Sequence, residues 1–273
     1  MPELPEVETI RRTLEPLICG QKICGLRLFW EKTLVSWQGQ AVADTVADQR
    51  IQRVGRRGKY LLIQLEQGWT LAAHLRMTGR FIYYPDPQEP DKHTQVIFNL
   101  TQGELHFHDV RKFGRIQLLP TAALQTVFSP AKLGPEPFSA DFSAAYLLQA
   151  LARKKRPIKS VLLEQSLVAG LGNIYADEAL FLAGVHPQRE AAALSEAETV
   201  ALHQAIQAVL TTGIEQRGTT LRDYRDANGE KGGFQDFLRV YGRGNCPCRR
   251  CGEKLVKLRL GGRAAVFCPA CQR

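Results

Sequence analysis

Several features are scarce in this chain, and each shortage excludes a class of protein. No apolar run approaches the roughly 20 residues that a membrane-spanning helix needs. The N-terminus is acidic and lacks the basic-then-apolar leader of a secreted protein. Cysteine is absent between Cys24 and Cys246, whereas a secreted disulfide scaffold would spread its cysteines along a short chain. We therefore expect a protein that folds in a reducing compartment.

Acidic residues are also scarce at the C-terminal end. The 273 residues carry a net charge of +9, which favours a polyanionic partner. Residues 244–273 contain one acid, Glu253, against seven basic residues, 7 − 1 = +6: Arg249, Arg250, Lys254, Lys257, Arg259, Arg263 and Arg273. This tail is where a phosphate backbone would bind.

Four of the seven cysteines form two Cys-x2-Cys pairs, separated by a stretch that suits a hairpin. The ligands would be Cys248, Cys251, Cys268 and Cys271. This spacing predicts a tetrahedral four-thiolate zinc site, with one structural Zn²⁺ and no open coordination position. The hairpin strands would be 255–260 and 264–267, with residues 261–263 at the tip. Cys246 is an extra thiol, two residues before the first ligand.

Apolar residues at helical spacing predict a first helix that Gly20 ends: Leu4, Val7, Ile10, Leu14 and Leu17. Short β-rich runs follow, separated by turns: 23–30, 60–65, 69–75, 80–84, 95–100, 105–108 and 115–119. Many short strands without intervening helices indicate an antiparallel sandwich or barrel.

The pattern becomes helical after a Pro-rich connector at 133–137, which is the best domain boundary. Helices are expected at 142–153, 158–165, 173–183 and 195–216, the last opened by a Ser195–Glu198 capping box. A Gly-rich loop is expected at 218–233. Three domains follow from these patterns: 1–133, 134–243 and 244–273.

The first residues suit Schiff-base chemistry. If Met1 is removed, Pro2 exposes a secondary amine beside the carboxyl group of Glu3. A terminal amine titrates near pH 8, against about 10.4 for lysine, so a useful fraction is the neutral nucleophile at neutral pH. The alternative is a proline that only precedes a helix, with Glu3, Glu6 and Glu8 facing the helix dipole.

Two segments of the helical region could bind phosphate. Gly170–Asn173 joins two helices, and Asn173 is a good N-cap whose helix could bind phosphate on its first N–H groups. The basic run 153–156, followed by Lys159, could continue that surface. Alternatively, Asn173 is only a cap, and the basic run is a solvated face.

Three residues of the β-rich region suit a protein that enters duplex DNA. Met77 lies between strands, and Arg111 and Phe113 lie in a loop bounded by glycine. Apolar side chains plus an arginine can fill the gap left by an everted base. On composition alone, Met77 and Phe113 would be ordinary core residues.

Taken in this order, the segments closely resemble the bacterial formamidopyrimidine-DNA glycosylases along essentially the whole chain. The most specific segments are 2–8 (PELPEVE), 58–61 (GKYL), 74–79 (HLRMTG), 170–176 (GLGNIYA) and 241–243 (YGR) before the four cysteines. The resemblance implies an α+β multidomain fold, with an N-terminal helix and antiparallel β-sandwich, a helix–two-turn–helix domain and a C-terminal zinc ribbon.

The resemblance also implies a bifunctional glycosylase and abasic-site lyase. It would excise oxidised purines such as 8-oxoguanine and formamidopyrimidines in base excision repair, and then cut the strand by β,δ-elimination.

Roles for individual residues follow from the same resemblance. Pro2 would be the Schiff-base nucleophile, Glu3 the acid for sugar ring opening, and Glu6 a second carboxylate that shapes that site. Lys59 would act in β-elimination and Arg263 in δ-elimination. The DNA contacts would be His93, Arg111, Lys154 and Asn173, with Met77, Arg111 and Phe113 filling the void. The loop at 218–233 would cover the everted base.

Two alternatives stay open. The sister group, of the endonuclease VIII type, prefers oxidised pyrimidines, but it usually opens with Pro-Glu-Gly-Pro-Glu rather than the Pro-Glu-Leu-Pro-Glu of this chain. The other alternative is a catalytically silent protein that recognises bent or damaged DNA. The expected partner is double-stranded DNA with oxidised purines or abasic sites. The expected state is a monomer in the bacterial cytoplasm, associated with the nucleoid.

Overall fold

The computed structural model describes residues 1–221 and 224–273, which divide into two compact units. The first unit is residues 1–128 and 216–233, and the second is residues 129–215 and 234–273. The chain therefore leaves the first unit once and returns to it for a short segment. Within the described residues, no helix is long and apolar enough to cross a membrane.

The first unit opens with helix α1, Leu4–Ile18, as the apolar spacing predicts. Its other elements are, in chain order, β1 (Ile23–Leu28), β2 (Leu34–Val35), α2 (Val42–Val46), β3 (Ile51–Arg57), β4 (Tyr60–Leu65), β5 (Trp69–His74), β6 (Arg80–Tyr84), β7 (Thr94–Leu100), β8 (Glu104–His108), β9 (Arg115–Pro120) and α3 (Leu124–Val127).

The strands form two sheets, which confirms the predicted sandwich. One sheet has the order β1-β7-β8-β6, and the other has the order β2-β9-β5-β4-β3. All pairs are antiparallel except β2 with β9. The apolar face of α1 packs with residues of both sheets in one core that includes Ile10, Leu14, Phe81 and Phe98. This burial of apolar area is the main stabilising term of the unit.

The second unit contains the helices and the C-terminal hairpin. Its elements are α4 (Ala144–Leu151), α5 (Ile158–Leu162), α6 (Asn173–Ala183), α7 (Glu196–Glu215), β10 (Val256–Leu260) and β11 (Arg263–Phe267). The predicted capping box before α7 is confirmed, because Ser195 N donates to Glu198 Oε2 at 2.8 Å and Glu198 N donates to Ser195 Oγ at 3.3 Å. Helices α4 and α5 are shorter than predicted.

Candidate functional site

The N-terminal residues of the first unit are buried around the start of α1. Pro2 is buried, and Glu3 and Glu6 are 3% and 1% exposed. Glu3 N donates to Glu6 Oε2 at 2.7 Å, which satisfies an N–H group at the helix start. Met1, which precedes Pro2, is exposed.

Glu6 also holds the returning segment 216–233. Its Oε1 accepts the N–H of Thr219 at 2.7 Å, and its carbonyl oxygen accepts the Tyr224 hydroxyl at 3.3 Å. Gly218 makes this approach feasible: its φ is +78°, and a Cβ there would lie 2.8 Å from Glu6 Cγ. The segment predicted to be the cover loop is thus attached to Glu6 by two hydrogen bonds. Arg222 and Asp223, at the centre of that loop, lie outside the described residues.

Lys59 lies in the tight turn between β3 and β4, where Arg57 pairs with Tyr60. It is only 5% exposed, which is unusual for a lysine. Arg56 connects this turn to α1: its Nη1 donates to Gly58 O at 3.0 Å, and its Nε lies 3.0 Å from Glu8 Oε2. The first unit therefore holds the turn of Lys59 against the helix that begins after Pro2 and Glu3.

His74, at the end of β5, is neutral at physiological pH. Burial, together with the positive charges of Arg76 and Lys59, lowers the pKa of His74 to about 4. Its Nδ1 accepts the N–H of Arg76 at 3.0 Å, and its ring meets the edge of Tyr60. The unprotonated ring therefore adds no positive charge near Lys59.

The structure brings Met77, Arg111 and Phe113 together in one exposed cluster. The Nη1 of Arg111 lies 2.7 Å from Met77 Sδ, and its guanidinium carbon lies 4.8 Å from the centre of the Phe113 ring. Met77 is 44% exposed and Phe113 is 49% exposed. The alternative that both are core residues is therefore wrong. A solvent-exposed cluster of apolar and cationic side chains suits insertion between bases.

Two loop residues beside this cluster adopt left-handed backbone angles although they are not glycine. Arg76 has φ +55° and precedes Met77, and Lys112 has φ +58° and lies between Arg111 and Phe113. Such conformations cost free energy, and they persist where the surrounding contacts hold them. Lys112 gains one such contact, since its Nζ lies 4.3 Å from the centre of the Trp30 ring.

Asp109 is the residue that the sequence reasoning missed. It is 1% exposed, and its Oδ2 accepts Gly114 N at 2.6 Å while its Oδ1 accepts Arg111 N at 3.1 Å and the Thr78 hydroxyl. One carboxylate thereby connects the loop of Arg111 and Phe113 with the turn of Met77. The signal available in the sequence was an aspartate at the start of a loop that ends in glycine, because an aspartate side chain often accepts the backbone N–H two residues on.

His93 is held close to the same aspartate by the backbone. Asp109 N donates to His93 O at 2.9 Å, and His93 N donates to Asp91 Oδ1 at 2.8 Å. His93 itself is partly exposed. The four candidate DNA contacts of the first unit, His93, Met77, Arg111 and Phe113, therefore all lie on segments that Asp109 connects.

In the second unit, Asn173 does not cap its helix with its side chain. Gly172 occupies the N-cap position, and Asn173 is the first residue of α6. The side-chain amide instead donates to Ala264 O at 3.2 Å, on the C-terminal hairpin. The expectation of a side-chain cap was wrong because Asn173 already belongs to the helix, and the N-cap position falls on Gly172, which has no side chain. Lys154 lies outside the helices and forms an ion pair with Glu164 at 3.2 Å.

Arg263 is not the tip of the hairpin but the first residue of β11, paired with Leu260. The tip is Gly261–Gly262, both with positive φ, which leaves only two residues in the turn. Arg263 is exposed directly beside that tip, and an open cavity of about 470 Å³ adjoins it, lined also by Arg156 and Ser160.

The four expected ligand cysteines converge in the second unit. The sulfur atoms of Cys248, Cys251, Cys268 and Cys271 all lie within 4.8 Å of one another. Four thiolates around zinc at a Zn–S distance of about 2.3 Å would be separated by about 3.8 Å, which this cluster fits. Cys246 is exposed and is not part of the cluster.

These features define a class of protein: a β-sandwich behind a proline-led helix, with a helical unit that carries a four-cysteine zinc ribbon. Comparison with known proteins narrows this class. Family models match residues 1–116 (formamidopyrimidine-DNA glycosylase N-terminal domain), 133–225 (formamidopyrimidine-DNA glycosylase H2TH domain) and 247–273 (zinc finger found in FPG and IleRS).

Individual relatives give the same result over the whole chain. The formamidopyrimidine-DNA glycosylase of Desulfitobacterium hafniense is 53% identical over 272 residues, and the alignment covers 100% of each chain. A crystal structure of a Lactococcus lactis FPG mutant with a Fapy-dG-containing DNA matches with a TM-score of 0.94 at 39% identity, covering 100% of each chain. The Lactococcus lactis enzyme bound non-covalently to an AP-site-containing DNA matches with a TM-score of 0.91 at 37% identity, covering 99% of each chain.

The chain belongs to the formamidopyrimidine-DNA glycosylase family. Its cysteine cluster and the matching zinc-finger model show one structural zinc site, as the spacing predicts.

Proposed function

We propose that this protein is a bifunctional DNA glycosylase and abasic-site lyase that removes oxidised purines, including 8-oxoguanine and formamidopyrimidines, from double-stranded DNA. Family membership supports glycosylase activity on damaged DNA. The names of its relatives refer to formamidopyrimidine, and their structures contain DNA with a Fapy-dG lesion or an AP site. A location in the bacterial cytoplasm, at the nucleoid, follows from such a substrate.

The first step uses the N-terminal residues after Met1 is removed. The nitrogen of Pro2 attacks C1′ of the damaged nucleotide, the bond from C1′ to the base breaks, and Glu3 protonates the ring oxygen as the sugar opens. Because the nitrogen of proline carries two carbon substituents, the product is a cationic iminium. Glu6 supports this step by holding the backbone of Glu3 and the segment that begins at Thr219.

The second step cuts the strand. The iminium makes the C2′ proton acidic, so its removal expels the 3′ phosphate in β-elimination, and a further elimination expels the 5′ phosphate. We assign Lys59 to the first elimination, supported by its burial in a turn beside neutral His74. We assign Arg263 to the second, supported by its exposure beside the hairpin tip.

The remaining candidates bind DNA. Met77, Arg111 and Phe113 would fill the space that the everted nucleotide leaves, because they form one exposed cluster of apolar and cationic groups. His93, Lys154 and Asn173 would contact the DNA backbone. We also propose three domains, at 1–133, 134–243 and 244–273, and a monomeric protein.

The observation that carries the proposal is the N-terminal site, where Glu6 joins the backbone of Glu3 to the returning segment beside buried Pro2. A helix start that only needed capping would not require a contact to a segment more than 200 residues away in sequence.

The test is borohydride trapping with protein whose intact mass shows that it begins at Pro2. A duplex with 8-oxoguanine opposite cytosine should give a permanent protein–DNA link. Pro2→Gly and Glu3→Gln should lower excision while DNA affinity is retained. Pro16→Ala, at the far end of the same helix, is the matched control and should behave as the wild type.

Two outcomes would contradict the proposal. No trapped link and no excision, together with retained affinity for the damaged duplex, would indicate a silent DNA-binding protein. Faster excision from oxidised-pyrimidine duplexes than from 8-oxoguanine duplexes would indicate the substrate preference of the sister group.

A further inference from the structure

The second unit contains a buried ion pair to which the proposed reaction assigns no role. Lys159 on α5 and Asp177 on α6 have side chains that are each 1% exposed, and Nζ lies 2.6 Å from Asp177 Oδ1. Removing two charges from water costs free energy, and replacing such a pair with apolar residues often leaves stability unchanged or higher. The stability of the fold alone therefore does not explain this pair.

The pair forms hydrogen bonds with the backbone of β11, just after Arg263. Lys159 Nζ donates to Ala264 O at 2.5 Å, and Asp177 Oδ2 accepts Val266 N at 3.2 Å. The amide of Asn173 donates to the same Ala264 carbonyl at 3.2 Å. Three side chains from two helices thus fix the backbone immediately after Arg263.

Arg263 needs such a constraint because its position at the start of β11 restricts its backbone little. It is exposed, and it follows a two-glycine turn. Glycine permits many backbone conformations, so the turn by itself would let Arg263 move relative to the helices. Fixing Ala264 removes that freedom at the next residue.

We infer that Lys159 and Asp177 are a positioning pair, which fixes Arg263 for its contact with the phosphate that leaves in the second elimination. This inference rests on the role proposed above for Arg263. Neither residue of the pair contacts the DNA in this scheme; both act through the backbone of Ala264 and Val266.

The charges of the pair depend on each other. Burial raises the pKa of Asp177 to about 7, while Lys159 opposes that rise. Without Lys159, the carboxyl group takes up a proton, so Lys159→Met removes the charge pair without leaving a buried anion. The double variant Lys159→Met/Asp177→Leu replaces the pair with apolar groups. Both variants can therefore keep the fold while Ala264 O loses the Lys159 donor and keeps that of Asn173.

The experiment compares the β- and δ-elimination products from one abasic-site duplex, well below the melting temperature of each variant. In Lys159→Met and in the double variant, we expect the rate of the second elimination to fall about tenfold or more, since a misplacement of a catalytic group by about 1 Å can cost about a hundredfold in rate. Trapping of the iminium should change little, because Pro2 is in the other unit. Zinc content should stay at one per chain.

Two controls separate positioning from general destabilisation. Val161→Ala makes a cavity in the same helix, at a fully buried residue whose side chain has no hydrogen-bonding group, and Lys132→Met removes an exposed lysine of the second unit. Both should keep the product ratio of the wild type. Equal loss of δ-product in Val161→Ala and Lys159→Met, at matched melting temperatures, would overturn the inference. A product ratio in Lys159→Met equal to that of the wild type would also overturn it.

The same experiment tests the proposed function separately. If the wild type forms no δ-product, or if Arg263→Gln leaves the δ-product unchanged, the proposed role of Arg263 is wrong, whatever the variants of the pair show. If the wild type forms δ-product and Arg263→Gln does not, the result for Lys159→Met bears on the pair alone.

Discussion

Glu6 connects three parts of the first unit through one side chain and one carbonyl group. Its two carboxylate oxygens accept N–H groups from Glu3 and Thr219, and its carbonyl oxygen accepts the Tyr224 hydroxyl. A carboxylate has only acceptors, so it can serve both N–H groups at once. An amide would have to present its NH2 group to one of these donors, which leaves that contact unsatisfied.

We therefore expect Glu6→Gln to lower the free energy of unfolding by about 1–3 kcal/mol, the cost of a buried unsatisfied polar group. Limited proteolysis of segment 216–233 should also become faster, because the segment is held by a hydrogen bond to Glu6. Urea unfolding and the cleavage rate measure the two effects. Glu66→Gln, at an exposed turn, is the control and should change neither. Equal stability of Glu6→Gln and the wild type would contradict the assigned contacts.

The free energy of unfolding should depend on pH through His74, and the sign of this dependence follows from the lowered pKa of the residue. The pKa is about 4 in the folded protein and about 6.5 in an unfolded chain, so between these values the unfolded state binds more protons. The contribution of His74 to stability is fully present above pH 6.5, and it is lost as pH falls toward 4. The maximum contribution is about 3 kcal/mol.

We expect the difference in unfolding free energy between the wild type and His74→Asn to shrink as pH falls from 7 to about 4.5. Asparagine keeps an oxygen that can accept the N–H of Arg76 but has no group that titrates in this range. Urea midpoints of both proteins across that range give the measurement. A difference that does not vary with pH would show that His74 titrates normally.

At the scale of elements, the sequence patterns predicted those features that depend on residues close together in the chain. The spacing of apolar residues gave α1, and the two Cys-x2-Cys pairs gave the zinc site. Strand β3 was not predicted, because its buried residues, Ile51 and Val54, are three apart rather than two, across an irregularity in its pairing with β4. Helix α2, with five residues, is too short to show a period.

Contacts between distant segments could not be read from the sequence. Nothing near Glu6 indicates that it accepts Thr219 N, and nothing near Asn173 indicates that its amide donates to Ala264 O rather than capping α6. The proximity of Met77 to Arg111 depends in the same way on how the two sheets place their loops. These contacts decide the form of the candidate site, and they exist only in the folded chain.

Asp109 provides the test at this scale, because it connects the loops that carry Met77 and Arg111. Asp109→Asn would place an NH2 group against the N–H of Gly114 or of Arg111. We expect excision of 8-oxoguanine from a duplex to fall about tenfold or more, since base eversion needs the void to be filled. Cleavage of an abasic site in single-stranded DNA should change much less, because no base has to be everted.

Single-turnover rates on the two substrates measure this difference. Asp86→Asn, at an exposed position before β7, is the matched control and should keep both rates. An equal loss on both substrates would show that Asp109 maintains the fold in general and does not position the loops.

At the scale of the whole molecule, each unit is built from two separate stretches of chain, and each contains a buried glutamate that binds the returning stretch. In the first unit, Glu6 accepts the N–H of Thr219. In the second, Glu178 is fully buried and accepts the N–H groups of Arg239, Val240 and Tyr241. Charge-assisted hydrogen bonds of this kind are among the stronger ones, so these acids fix both returns of the chain.

The zinc ribbon depends on its metal more than the rest of the second unit does. Its buried apolar cluster has only six members, two of which are zinc ligands: Phe181, Val240, Cys248, Leu255, Val266 and Cys268. So small a core does not fold without a metal or disulfide. The positions of Arg263 and of the other basic residues in 244–273 therefore depend on bound zinc.

We expect Cys271→Ser to lower the zinc content from one per chain to none and to weaken binding to an abasic-site duplex. Cys246→Ser is the matched control in the same ribbon, because Cys246 is exposed and lies outside the sulfur cluster. Metal analysis, protease sensitivity of residues 244–273 and DNA affinity at one fixed salt concentration measure the effect, since salt alone changes that affinity strongly. If Cys246→Ser lost zinc and Cys271→Ser retained it, the fourth ligand would be Cys246 and not Cys271. That result would contradict the assigned site.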